Sequence, residues 1–131
     1  MSTNEVPNAR FEYLYRDASN YKVWGSLVFA GRIPNDLARR LSRALESSEF
    51  FIAHQVRVPE LFLGLPSWPL EQDDHCWHEF SRIEPTTEPA NDPHRRTIEE
   101  FILELEQQSA LGWNIFDPMD DQVTRQSLSP G

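Results

Sequence analysis

Residues 11–31 read FEYLYRDASNYKVWGSLVFAG, and their pattern decides the fold class. Phe11, Tyr13 and Tyr15 alternate with Glu12, Leu14 and Arg16, a period of two in aromatic side chains that predicts a strand with one buried face. The cluster DASN at 17–20 is turn chemistry, and YKVWGSLVFAG at 21–31 returns as a second strand, so the two pair as an antiparallel hairpin. Gly25 falls in mid-strand, where a missing side chain signals a bulge or a closely packed neighbour.

Beyond the hairpin the period changes. From Pro34 onward Leu37, Leu41, Ala44, Leu45 and Ser48 recur three and four apart, with Asn35 or Asp36 placed to cap and Arg39, Arg40 and Arg43 facing outward. That predicts an amphipathic helix with a basic outer face. FFIAHQVRV at 50–58 is β-branched and aromatic and predicts a third strand ended by Pro59. PELFLGLPSWPLEQ at 59–72 holds three prolines and a glycine among large apolar side chains, so it reads as an apolar loop, packed on the domain or offered to a partner. HCWHEFSRI at 75–83 predicts a fourth strand stopped by Pro85. The second helix has the clearest signature: Thr97 and Glu100 form a capping box, Ile98, Phe101, Ile102 and Leu105 make the apolar stripe, and Gly112 stands at the C-terminal stop. GWNIF at 112–116 adds a short edge strand or plugs the core with Trp113 and Phe116.

The order β-β-α-β-β-α, with each helix needing a sheet face for its stripe, predicts an α+β fold: a two-layer domain with a largely antiparallel sheet of about four strands and two amphipathic helices. The expected organisation is a flexible N-terminus over 1–10, one domain over 11–116, and a polar, acidic tail over 117–131 that offers little apolar surface to bury.

At 131 residues the chain is long enough to bury one core. The single cysteine, Cys76, cannot form an internal disulfide, and MSTNEVPNAR has neither the basic nor the apolar region of a signal peptide, so the expected location is the cytoplasm. No apolar run reaches the ~18 residues that cross a bilayer, which excludes a membrane partner at this level. The net charge of −9 is uneven: residues 1–65 carry 8 basic against 7 acidic side chains, residues 66–131 carry 4 against 14. Such an acidic half repels a phosphate backbone, so no nucleic acid is expected, and a basic protein partner is the natural counterpart. The glycines are scattered, with no phosphate-cradling loop and no C-x-x-C, so no cofactor is expected.

The densest chemistry is DDHCWHEF at 73–80. In an extended chain Asp73, His75, Trp77 and Glu79 share one face, while Asp74, Cys76, His78 and Phe80 share the other. His75 and His78 then point apart and cannot hold one metal ion, so no metal site is expected. As a helix, the segment would bring both histidines to one side. Extended, His75 beside Asp73 or Glu79 has the composition of a general base, with His54 or Tyr13 able to join from a neighbouring strand. Cys76 with His78 is a thiol–imidazole pair, but no nearby turn or helix start supplies oxyanion donors. The alternative is structural: Trp77 and Phe80 anchor opposite layers, Trp77 substantially buried, with the charged residues paired across strands.

At FEYLYRDASNYKVWGSLVF and DHCWHEF the chain resembles small uncharacterised bacterial proteins with an aromatic Y-R-D-x-x-N-Y-K hairpin turn and a central D-H-x-W-H-E segment. The resemblance spans roughly residues 11–116 and implies no activity; it implies that the two segments belong to one design. In the turn, Asp17 and Asn20 can hydrogen-bond backbone and Arg16 can pair with a carboxylate. The leading functional expectation is a small acidic interaction protein, accessory, immunity-like or antitoxin-like, that binds a protein partner through Arg16, Asp17, Asn20, Leu63 and Trp68. The alternative is a metal-assisted or acid–base enzyme centred on Asp73, His75, His78 and Glu79.

Overall fold

The computed structural model describes residues 7–17, 19–61 and 75–117. It is an α+β domain in two layers. The elements are β1 (Asn8–Arg16), β2 (Lys22–Phe29), α1 (Leu37–Ala44), β3 (Phe50–Ile52), a 3₁₀ turn (Ala53–Val56), β4 (Trp77–Thr86) and α2 (Ile98–Leu111). The four strands form one antiparallel sheet in the order β2-β1-β4-β3.

One parity runs through the sheet. Ala9, Phe11, Tyr13 and Tyr15 of β1 and Leu27 and Phe29 of β2 are buried on the face that meets the helices, where they join Leu37, Leu41, Ile98, Phe101, Ile102 and Leu105. Both helices lie on this face because each has one apolar stripe and the strands have one aromatic row. Phe11 is the hub, its ring 5.0 Å from Phe101 and 5.9 Å from Phe51, while Phe29 stacks on Phe101 at 4.3 Å.

Several boundaries differ from the periodicity. β1 begins at Asn8, since Ala9 is fully buried. The strand expected over 50–58 pairs for only three residues; the chain then tightens into the 3₁₀ turn, which Arg57 ends in a left-handed conformation (φ 59°). β4 passes through Pro85 instead of stopping before it. There β4 bonds only β1, because β3 pairs no further than Glu79, and a proline costs no ladder bond on the unpaired side. Between Glu12 and Tyr13 the register with β4 shifts, leaving Ser81 as a bulge that restores the alternation of Phe80 and Ile83 inward and Arg82 outward.

The basic face expected for α1 is partly neutralised by the carboxylates of α2. Arg40, expected to face solvent, is largely covered: it holds Glu106 through Nε and Nη2 at 2.8 and 2.7 Å and reaches Glu99 at 2.9 Å. These bonds from Arg40 hold Glu106 below the ordinary carboxylate range. Glu104 pairs with Arg57 and Arg96, and Glu100 completes the capping box with Thr97. Of the helix cations, Arg39 and Arg43 remain exposed.

Candidate functional site

The polar segment and the hairpin turn meet at the end of β1. Arg16 donates to Glu79 from Nε (2.9 Å) and Nη2 (3.2 Å) and to the Asn20 side-chain oxygen from Nη1 (2.6 Å). Asp17 Oδ1 accepts from the backbone N–H of Ser19 and Tyr21, an Asx turn that lets Asn20 take φ 68°. Tyr15 Oη donates to the His75 carbonyl at 2.6 Å and accepts from the His75 N–H at 3.2 Å. His75 closes the knot. Its Nε2 lies 2.8 Å from the Arg16 carbonyl, which can only accept, while Nδ1 accepts from the Trp77 N–H at 3.0 Å. The proton is therefore on Nε2, and the ring is neutral with both nitrogens engaged.

His78 has a different environment. It is fully buried on the core face, opposite Phe51 and beside Tyr13 and Tyr15, and its Nε2 accepts from the Leu61 N–H at 2.9 Å. Burial drives its pKa down to about 3, against a smaller upward pull from a backbone hydrogen bond to Cys76. Cys76 is buried too, and its thiol is pushed up by desolvation, which suppresses the thiolate a nucleophile needs.

The expected site residues thus divide. His75 and Glu79 lie in one cluster, but Glu79 holds Arg16 and His75 holds the backbone, so they do not form an acid–base dyad. His78 is a core residue. Asp73 lies outside the described residues, as do Leu63 and Trp68. Arg16, Asp17 and Asn20 come together as a saturated turn, with their hydrogen bonds spent on the fold. Tyr13, read as a possible companion, donates to the Pro59 carbonyl at 2.8 Å, and His54 bonds Glu60 at 2.9 Å. Trp77 is half-buried, not substantially buried: the pairing with β3 turns His78 to the core and leaves the indole on the opposite face. Among the described residues no three His, Cys, Asp or Glu side chains converge as metal ligands.

On the face away from the helices Trp24, Leu14, Glu79 and Phe50 lie in register, one from each strand; Leu14 and Glu79 are buried, and the exposed end of the row is Trp24 on β2. Trp24 is 59% exposed and Tyr21 50%. Sequence reasoning passed over Trp24, although its even place in β2, against the odd Leu27 and Phe29, marks it as outward-facing.

β2 is also an edge. Val28 bonds Asn91 through both its N–H and its carbonyl (2.8 and 2.9 Å), so its backbone groups point away from β1. By alternation the N–H and C=O of Ser26, Trp24 and Lys22 point the same way, and they have no partner among the described residues. Glu12, Trp24, Gly25 and Ser26 line a cavity of about 360 Å³ at this edge.

No family model matches the chain, and no curated protein or solved structure matches it either. Among the described residues no helix is long and apolar enough to cross a membrane.

Proposed function

We propose that this chain is a small protein-binding domain of the bacterial cytoplasm, an accessory or immunity-like factor, that receives an extended segment of its partner along the free edge of β2. The observation that carries this reading is the backbone of Lys22, Trp24 and Ser26, which has no partner among the described residues and lies beside an exposed tryptophan. A free row of donors and acceptors is a template for strand addition, and pockets for alternate side chains supply selectivity. Lys22 at the start of the edge is the sort of charge that discourages pairing between identical edges, which favours a foreign strand over a second copy.

The acidity of the chain has a smaller part in this reading than composition alone suggested. Glu99, Glu104 and Glu106 of α2 are taken by Arg40, Arg57 and Arg96 and Glu100 by the capping box, so the helix offers no free acidic stripe to a basic partner.

The test is Ser26→Pro with Trp24→Ala as its companion. The Ser26 N–H faces the edge, so proline removes no bond to β1 while blocking an incoming strand. Affinity capture from the native host should yield a partner with the wild-type chain and with Arg39→Glu, and lose it with both edge variants at unchanged melting temperature. Retention of the partner by Ser26→Pro would sink the edge reading.

A further inference from the structure

The opposite edge of the sheet carries a second site, independent of the β2 reading. β3 turns Phe50 to the outer face, where its ring lies 6.5 Å from that of Trp77 at an interplanar angle of 60°. Glu46, Ser47, Phe50, His75 and Trp77 line a cavity of about 390 Å³. Phe50, His75 and Trp77 are each half-buried, and His75, with both nitrogens committed, contributes a neutral ring to the wall.

Glu46 supplies the charge. It is exposed, makes no ion pair among the described residues, and is held rigidly against Phe50. Its N–H donates to the Phe50 carbonyl at 2.7 Å, and its carbonyl accepts from the Phe50 N–H at 2.8 Å. The turn between them contains two successive non-glycine residues in the left-handed region, Ser47 (φ 53°) and Ser48 (φ 61°). Such conformations cost of order 1–3 kcal/mol apiece where context does not support them, and they recur at ligand sites. Among the described residues Arg43 is a neighbouring cation with no ion pair. It lines an adjoining cavity of about 340 Å³ that shares Glu46, Ser47 and Trp77, and its guanidinium lies over neither Phe50 nor Trp77. Arg16, the other neighbour, is bound to Glu79 and Asn20.

The geometry points to a binding site for an organic cation, an alkylated ammonium or a guanidinium group, seated among Phe50, Trp77 and the His75 ring with the Glu46 carboxylate as counter-charge. Ring faces attract such a cation through their quadrupoles, and a weakly hydrated cation loses little on leaving water. A neutral apolar guest would meet the same rings but would desolvate Glu46 without compensation. The cation has two possible sources, a free small molecule or a basic side chain of a protein.

Titration followed by the indole N–H resonances separates these outcomes, with choline, its neutral isostere 3,3-dimethylbutan-1-ol, arginine amide and trimethyllysine amide as probes. At least one cation should give a saturable shift of the Trp77 signal, roughly tenfold tighter than the neutral isostere. Glu46→Gln, an exposed change that leaves the core untouched, should weaken it several-fold, and Phe50→Leu, which keeps the Trp77 reporter, should abolish the shift. Tighter binding of an amino-acid amide than of choline assigns the cation to a protein, and the reverse order assigns it to a free metabolite. Equal binding of the isostere, indifference to Glu46→Gln, or no saturable shift with any of the cations overturns the site.

Discussion

Glu79 accepts both hydrogen bonds of the Arg16 fork at 2.9 and 3.2 Å, and so the carboxylate that could have served His75 as a general base's partner is committed to a strand cation. The bond joins the hairpin turn to β4, and through Nη1 it also fixes Asn20. A planar fork on a carboxylate depends on both partners keeping their charge. Glu79→Gln should therefore lower the melting temperature, and Arg16→Met should lower it by a similar amount. In the double variant the losses should fall well short of their sum, because each single change already removes the shared interaction. Additive losses would show that the fork contributes nothing to stability.

His78 sets a pH dependence whose sign is fixed by its burial. Its folded pKa, about 3, lies below the ordinary 6.5, so at mildly acidic pH the unfolded chain binds a proton that the folded chain refuses. The stability is fully present above about pH 6.5 and is lost as pH falls toward 3, with a slope of up to about 1.4 kcal/mol per pH unit from this group. Carboxylates held low by arginines, Glu84 by Arg10, Glu104 by Arg57 and Glu106 by Arg40, add to the loss only below their ordinary range near 4.5. Denaturant titrations between pH 6.5 and 5 isolate the histidine. His78→Gln should be less stable at pH 7 yet flatter across this window; an unchanged slope would place the titrating group elsewhere.

The layers, the strand order along the chain and both helices were legible because each rests on a local period: two in the hairpin, three to four in the helices. Within DDHCWHEF the parity of residues 77–80 was legible as well, since Trp77 and Glu79 do share one face and His78 and Phe80 the other; Asp73 and Asp74 lie outside the described residues. Which face enters the core was not. Two histidines and an indole are all amphipathic, and the choice between Trp77 and His78 is made by the pairing of His78 with Phe51 and by the Leu61 N–H, both remote in sequence. The short extent of β3 was equally hidden, because FFIAHQVRV carries strand propensity to its end and only the tertiary turn at Arg57 breaks it. Charge partners were the least legible. Nothing local says that Arg96, in a polar run with His94 and Arg95, belongs in the interior.

Arg96 is 4% exposed and is the most densely bonded cation of the domain's core side. It takes Asp92 through Nε and Nη2 at 2.9 and 3.0 Å and donates to the Val56 and Arg57 carbonyls at 2.6 and 2.9 Å. Its guanidinium lies 5.1 Å from the Phe101 ring centroid. Burial works against the ionised form of Asp92, but the hydrogen bonds from Arg96 keep its carboxyl below the usual range. Removing one partner of such a pair leaves the other charge desolvated, so Asp92→Ala should cost about 3–5 kcal/mol in chemical denaturation. A cost below about 1 kcal/mol would mean that water or Glu104 replaces the lost carboxylate.

The glycine in mid-strand ties the hairpin to His78. A Cβ built on Gly25 would lie 2.7 Å from Leu61 Cδ2 and 3.4 Å from Tyr13 Cε1, and Leu61 is the residue whose N–H satisfies the buried imidazole. The backbone at Gly25 is ordinary strand, so alanine there would gain a little from a less flexible unfolded chain, by ~0.4–1 kcal/mol. Against that, the methyl group must displace a leucine packed on the core, and overpacking typically costs ~1–3 kcal/mol. The clash outweighs the gain, and Gly25→Ala should destabilise by about 1–2 kcal/mol. Leu61→Ala should itself destabilise by opening a cavity, but it removes the two atoms that the new methyl would strike. The double variant should then be more stable than the sum of the single losses implies, by ~0.5 kcal/mol or more. Strict additivity, or a stabilising Gly25→Ala, would show that Leu61 yields freely and that this contact does not hold the turn against His78.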